Sequence, residues 1–235
     1  MTILHHNLVK KNPLIDYRIG DGFYALSGDS DFRNKTFREY PNTILSEYLK
    51  RTTNNQDYNC LIAIINGKNY NIPKHIPFNN NYTIVHLRIG DVMDSLPCEV
   101  FNKKVYHDID TVNTTLSRDH FSYIATKYIV PISWYSHLLP YFHNRNILII
   151  AASHMLLHSY KNSLIYIAEI KKILSQNGNN VQLLLGYNPD NDLLLIKSCN
   201  DFIRSSGNYS KLLSDLCKKF NKPVTCHPKV SEYWG

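Results

Sequence analysis

The sequence predicts an α/β protein whose C-terminal part is a doubly wound parallel sheet. Short apolar runs alternate with amphipathic segments from residue 146 onward, and polar or glycine-containing turns separate them. This alternation of strand and helix is typical of parallel sheets with helices on both faces. A chain of 235 residues with 43% apolar and 19% charged residues can also bury the hydrophobic core that such a sheet requires.

The first ninety residues predict a compact α/β unit. Arg18–Ser27 contains a glycine-bearing turn, and Thr43–Arg51 has the apolar spacing of a helix. Cys60–Ile65 is continuously apolar and Tyr82–Leu87 is mostly apolar, as in central strands of a parallel sheet, and both are predicted as buried strands. The polar segment from Met93 to Ser122 is predicted to be a surface insertion or an acceptor-binding loop.

The remaining chain predicts four strands separated by helices. In order, these elements are helix Ser133–Tyr141, strand Asn146–Ala152, helix Asn162–Gln176, strand Val181–Leu185, helix Asp190–Ser198, strand Asp201–Arg204, helix Tyr209–Phe220 and strand Pro223–Cys226. We expect two domains, residues 1–92 and residues 93–235. Ligands bind at the carboxyl ends of parallel strands, so functional residues are expected just after Leu87, Ala152, Leu185 and Arg204.

Composition limits the classes of function. The formal charge of +7 is divided almost evenly, +3 before and +4 after residue 92, and no run of Lys or Arg exceeds two residues. A nucleic-acid binder concentrates such residues on one face, so a small anionic ligand is favoured instead. Five widely spaced cysteines form no CxxC pair, which argues against a disulfide framework and a zinc site. No apolar run has the length of a membrane span or a secretory signal, and a cytoplasmic location is expected. Nothing in the sequence sets the oligomeric state.

The segment Thr83–Val92 carries the most informative motif. A buried strand delivers His86 and Arg88 at its end and then turns through Gly90 to Asp91. The guanidinium fork of arginine can bind two phosphate oxygens at once, and a carboxylate three residues later can hold it or act on a substrate hydroxyl. The alternative is structural, with Arg88 and Asp91 pairing on a surface turn and His86 buried in the core.

A second motif, Asp201–Ser210, leads into the last long predicted helix. Ser205, Ser206 and Gly207 precede that helix, whose free backbone N–H groups and dipole favour an anion. The alternative is a simple N-cap by Ser206 or Asn208, which is compatible with anion binding.

Four segments, in the same order, resemble those of the fucosyltransferase superfamily, which includes the α-1,2- and α-1,6-fucosyltransferases and the protein O-fucosyltransferases. HLRIGD at residues 86–91 resembles its H-x-R-x-G-D type motif, and RIGDGFYAL at residues 18–26 resembles its N-terminal glycine loop. Ser133-Trp134-Tyr135 resembles the helix before its first Rossmann strand, and residues 201–216 resemble its late Ser/Thr-rich turn and helix. The resemblance implies a GT-B-like fold, with two Rossmann-type lobes of which residues 1–92 form the acceptor side.

The same resemblance implies an inverting, metal-independent transferase that uses a nucleotide diphosphate sugar as donor substrate, typically GDP-fucose, a glycan acceptor and no cofactor. Arg88 would bind the diphosphate, with His86 beside it. The other implied donor-binding residues are Gly20, Gly22, Asp192, Ser205, Ser206 and Gly207. The chain is shorter than typical members, has Asp21 where O-fucosyltransferases carry asparagine, and has one arginine in the motif where many relatives have two. Rhamnose or another deoxyhexose therefore stays open as the donor sugar.

Two questions about the chemistry stay open at this stage. An inverting displacement benefits from a base on the acceptor hydroxyl, and Asp91, Asp21 and His86 are the candidates. Asp29-Ser30-Asp31 and Asp108-Ile109-Asp110 have the D-x-D form that binds a metal-nucleotide in another glycosyltransferase fold, but neither follows an apolar strand. No metal site is predicted. The rival functions are another transferase on the same sheet and an inactive module that binds a nucleotide sugar or a glycan.

Overall fold

The structure, a computed structural model, describes residues 44–51, 57–67, 82–107, 127–152, 160–185 and 189–234. Its centre is a five-stranded sheet in which all strands run parallel, in the order β3-β2-β1-β4-β5. The strands are β1 (Tyr82–Arg88), β2 (Asn146–Ala152), β3 (Asn180–Leu185), β4 (Asp201–Arg204) and β5 (Val224–Cys226). The predicted α/β class with a parallel sheet is confirmed, and the two-lobed arrangement stays a prediction.

The helices flank the strands along the chain. They are α1 (Ile44–Arg51), α2 (Tyr58–Gly67), α3 (Asp91–Asp94), α4 (Cys98–His107), α5 (Ile132–Leu138), α6 (Lys161–Leu174), α7 (Pro189–Ser198), α8 (Asn208–Lys219) and α9 (Pro228–Trp234), with a 3₁₀ turn at Leu139–Tyr141. Within the described ranges, no helix has the length and apolarity that crossing a bilayer requires.

Each face of the sheet has its own hydrophobic core, because successive residues of a strand point to opposite faces. Val85 and Leu87 of β1 belong to a core formed with α4, α5 and α6. Ile84, which precedes Val85 in the strand, belongs to the other core, which is formed with α1, α2, α7 and α8. Strands buried on both faces favour apolar residues at most positions, which explains why β1 and β2 are mostly apolar. Thr83 and His86 are the buried polar residues of β1.

One predicted strand is wrong. Residues 60–65 lie within helix α2, where Leu61, Ile64 and Ile65 are buried while Ala63 is exposed. This i, i+3, i+4 spacing places the three buried side chains on one helical face. The segment from Met93 to Ser122 is also more regular than predicted, because α3 and α4 occupy residues 91–94 and 98–107. Residues 108–126 lie outside the described part.

The predicted boundary after Val92 passes through this sheet. β1 lies before that boundary, yet it pairs along its whole length with β2, from Tyr82 beside Asn146 to Arg88 beside Ala152, and it pairs with β4 on its other side. Helix α2 is joined to α8 by a hydrogen bond of 2.9 Å from the Tyr58 hydroxyl to Asp215 Oδ2. The described residues before position 92 therefore belong to the same packed unit as the sheet.

Candidate functional site

The order of the strands places a topological switch point between β1 and β4, and the region at the carboxyl ends of these two strands is called the crevice below. From β1 the chain adds β2 and β3 on one side, and then returns across β1 to add β4 and β5 on the other. The connections that leave the carboxyl ends of β1 and β4 therefore diverge to opposite faces. A parallel sheet binds its ligands at such a switch point. The two motifs singled out in the sequence comprise these two strands and the turns that follow them.

His86 joins the two sides of this crevice. Its Nδ1 forms a hydrogen bond of 2.7 Å with the Ser205 hydroxyl, and the imidazole is 6% exposed. Burial, with a smaller contribution from the Arg88 charge, lowers the pKa of His86 to about 3. The imidazole is therefore neutral at pH 7 and accepts a proton poorly. This geometry favours His86 as a structural hydrogen-bonding partner over a general base.

Arg88 ends β1 at the mouth of the crevice and is half-buried. Its guanidinium carbon lies 5.7 Å from the centre of the Tyr128 ring, over its face. A Cβ placed on Gly207 would come 3.9 Å from Arg88 Cδ. The arginine predicted to bind phosphate and the turn predicted to cradle it are therefore adjacent.

Hydrogen bonds to residues outside it hold the turn Ser205–Gly207 in place. The Ser205 backbone N–H donates to Ser210 Oγ at 3.0 Å, and the Ser206 hydroxyl donates to the Tyr128 carbonyl. Because the Ser206 hydroxyl bonds to Tyr128, the N-cap role suggested for Ser206 is not supported. Both serine hydroxyls serve to shape the turn, since that of Ser205 bonds to His86.

Gly207 is the N-cap of α8, with φ 88° and ψ 161°. This positive φ favours glycine, and a Cβ there would also meet the Tyr128 ring at 3.5 Å. A glycine cap has no side chain to bond the N–H groups of the first helical turn, which have no intrahelical acceptor. The 12-residue helix α8 consequently directs its positive dipole end at the crevice.

The turn after β1 is also fixed. Gly90, with φ 85°, donates its N–H to Ser163 Oγ at 2.9 Å, and the Ser163 N–H donates to Asp94 Oδ1 at 3.1 Å. These bonds attach the turn to the start of α6. Asp91, predicted as a base, is the first residue of α3, directly after the turn. The other predicted loop residues Gly20, Asp21 and Gly22 lie outside the described residues.

Asp192 connects to the crevice through one intermediate residue. It accepts a hydrogen bond of 2.9 Å from the Tyr209 hydroxyl, and the Tyr209 ring packs edge-on against His86 with 5.6 Å between ring centres. Burial, and to a lesser extent the neighbouring Asp190, raises the pKa of Asp192 to about 7, although the Tyr209 bond opposes the shift. Asp192 is thus a buried part of the network that supports His86.

A second cleft lies at the opposite, amino-terminal edge of the sheet, with a volume of about 470 Å³. Arg145 spans it and donates to Asp201 Oδ2 at 2.8 Å. It also donates to Thr83 Oγ1 at 3.4 Å. This arginine is committed to an ion pair at the edge away from the predicted site.

Sequence reasoning did not find Tyr128 and found no role for Tyr209. Tyr209 lies inside the motif Asp201–Ser210. Tyr128 gave no signal, because it is a single aromatic residue in a segment without periodicity. Among the described residues, no three His, Cys, Asp or Glu side chains are grouped so as to hold a metal ion. Both D-x-D segments lie outside that set.

The structure brings His86, Arg88 and the turn Ser205–Gly207 together between β1 and β4, with Asp192 behind them. No family model, curated protein or solved structure gives a significant match to this chain.

Proposed function

We propose that the chain is an inverting, metal-independent glycosyltransferase that moves a deoxyhexose from a nucleotide diphosphate sugar to a glycan hydroxyl. GDP-fucose is the first donor to test, as the motif resemblance implies. The observation that supports the proposal best is the convergence of Arg88 with the Ser205–Gly207 turn at the switch point of the sheet. In this proposal the sheet belongs to the donor-binding lobe of a GT-B-like arrangement, and the glycine loop around Asp21 belongs to the acceptor side.

The proposed chemistry follows from the charges at the crevice. Glycosyl transfer passes through an oxocarbenium-like state while negative charge grows on the departing diphosphate. Arg88 provides a fixed positive charge, and the start of α8 at Gly207 provides oriented N–H groups, so the two can stabilise that charge without a metal ion. Because burial lowers the pKa of His86 so that its imidazole accepts a proton poorly, the role of base falls to Asp91 or Asp21.

Calorimetric titration with GDP tests the donor site, and the chain offers a matched control. Arg88→Lys keeps the charge but removes the planar fork, so we expect GDP affinity to fall about 10- to 100-fold, as for a lost charge-assisted hydrogen bond. Arg145→Lys makes the same change at the opposite edge and should leave the affinity unaltered. Equal affinities for wild type and Arg88→Lys would refute the assignment.

Activity separates the enzyme from an inactive binding module that shares the same donor site. Wild type incubated with GDP-fucose should release GDP, by transfer to an acceptor glycan or by slow hydrolysis. Binding of GDP with no release from any donor sugar, including GDP-rhamnose, would favour the binding module.

A further inference from the structure

We propose that Tyr128 is a positioning residue of the anion site, which orders the Arg88 guanidinium before the ligand arrives. This inference rests on the proposed function, because it assigns Tyr128 a role in binding the same phosphate groups. Neither the sequence motifs nor the resemblance includes Tyr128.

Two contacts tie Tyr128 to both sides of the crevice. Its ring lies under the Arg88 guanidinium at 5.7 Å, within the range of a cation–π interaction. Its carbonyl accepts the Ser206 hydroxyl from the turn that follows β4. The same ring lies 3.5 Å from the position of a Cβ on Gly207. One residue therefore sets the spacing between the arginine and the turn.

Such an arrangement affects affinity through conformational entropy. Arginine has a long side chain with much rotational freedom, which a ligand must restrict if the protein has not already done so. The aromatic face restricts the guanidinium in advance, and preorganisation of this kind increases affinity without a new contact to the ligand. The residue needs an aromatic face for this role, whereas simple packing needs only volume.

Three variants distinguish positioning by the aromatic face from simple packing. Tyr128→Phe keeps the ring, Tyr128→Leu removes it, and Tyr128→Met fills the space with a flexible apolar chain should the leucine variant not fold. Their backbone carbonyl still accepts the Ser206 hydroxyl. We expect Tyr128→Phe to bind GDP within about twofold of wild type, and the Leu and Met variants to bind about 2- to 30-fold more weakly, the range of a cation–π interaction.

The deciding measurement repeats Tyr128→Leu in an Arg88→Ala background. If Tyr128 acts through Arg88, its removal should then cause no further loss of GDP affinity. An equal loss in both backgrounds would show a merely structural role and overturn the inference, as would unchanged affinity in the Leu and Met variants or an equal loss in Tyr128→Phe. Wild type that binds neither GDP nor pyrophosphate would overturn the proposed function as well, so the two failures are distinguishable.

Discussion

His86 and Asp192 should impose opposite pH dependences on the stability of the fold. Burial lowers the pKa of His86 to about 3 and raises that of Asp192 to about 7. The depressed histidine contributes stability that is present above its unfolded pKa near 6.5 and is lost as the pH falls toward 3. The elevated aspartate contributes stability that is present below its unfolded pKa near 3.8 and is lost as the pH rises through 7. Between pH 4 and pH 6.5 the two contributions oppose each other.

The size of each contribution follows from the shifts. One pKa unit corresponds to about 1.4 kcal/mol, so either group changes the unfolding free energy by on the order of 3 kcal/mol across this pH range. In wild type these changes largely cancel. Asp192→Asn retains an oxygen that can accept the Tyr209 hydroxyl and leaves the histidine contribution alone. Relative to wild type, its stability should rise by on the order of 3 kcal/mol from pH 4 to pH 7.

Urea unfolding at pH 4, 5, 6 and 7 measures these differences by linear extrapolation. His86→Gln supplies the opposite control, because its stability relative to wild type should fall as the pH rises over the same range. Lost contacts change the unfolding free energy of each variant by the same amount at every pH. Only the change with pH of its difference from wild type reports the titration. Parallel pH profiles for wild type, Asp192→Asn and His86→Gln would refute the reasoning.

Three further predictions concern the turns and the leaving group. Gly207→Val should lower the affinity for GDP at least about tenfold, because a branched side chain with φ near 88° strains the turn and meets Tyr128. Calorimetry measures the affinity and circular dichroism checks the fold, and retained affinity would contradict the prediction. Ser163→Ala should lower the unfolding free energy by about 1–3 kcal/mol, because the Gly90 N–H loses its acceptor. Urea unfolding measures the loss, and Ser175→Ala, which removes an exposed hydroxyl, is the control. Transfer from GDP-fucose should persist in excess chelator, and a requirement for manganese or magnesium would revive the D-x-D alternative.

The sequence predicted the strands where local pattern is decisive. The runs of β1 and β2 are mostly apolar, with Thr83 and His86 as polar residues inside β1, and the structure confirms both strands. The same feature misled the prediction for residues 60–65, because a short run that is apolar throughout lacks the periodicity that distinguishes a strand from a helix. The order of the strands, on which the position of the crevice depends, is set by tertiary packing and leaves no local signal.

The site was predictable to the extent that it lies in contiguous motifs. His86 and Arg88 were identified because they lie at the end of a recognisable strand, and Ser205–Gly207 because they follow one directly. Their functional states were not predictable, since the neutral imidazole of His86 results from burial that only the fold creates. Tyr128 depends on contacts with residues 40 and 78 positions away in the chain, and single-sequence patterns do not report such contacts.

The central position of β1 has a consequence for the synthesis of the chain. The His86–Ser205 bond spans 119 residues, and the β1 edge that pairs with β4 stays open until β4 has been made. At translation rates of about 5–20 residues per second, the interval is roughly 6–24 s. During this interval, strand β1 (Tyr82–Arg88) presents an unpaired edge of the kind that pairs with strands of other chains. Chains expressed at high level should therefore be vulnerable to aggregation at this stage, before the crevice between β1 and β4 exists.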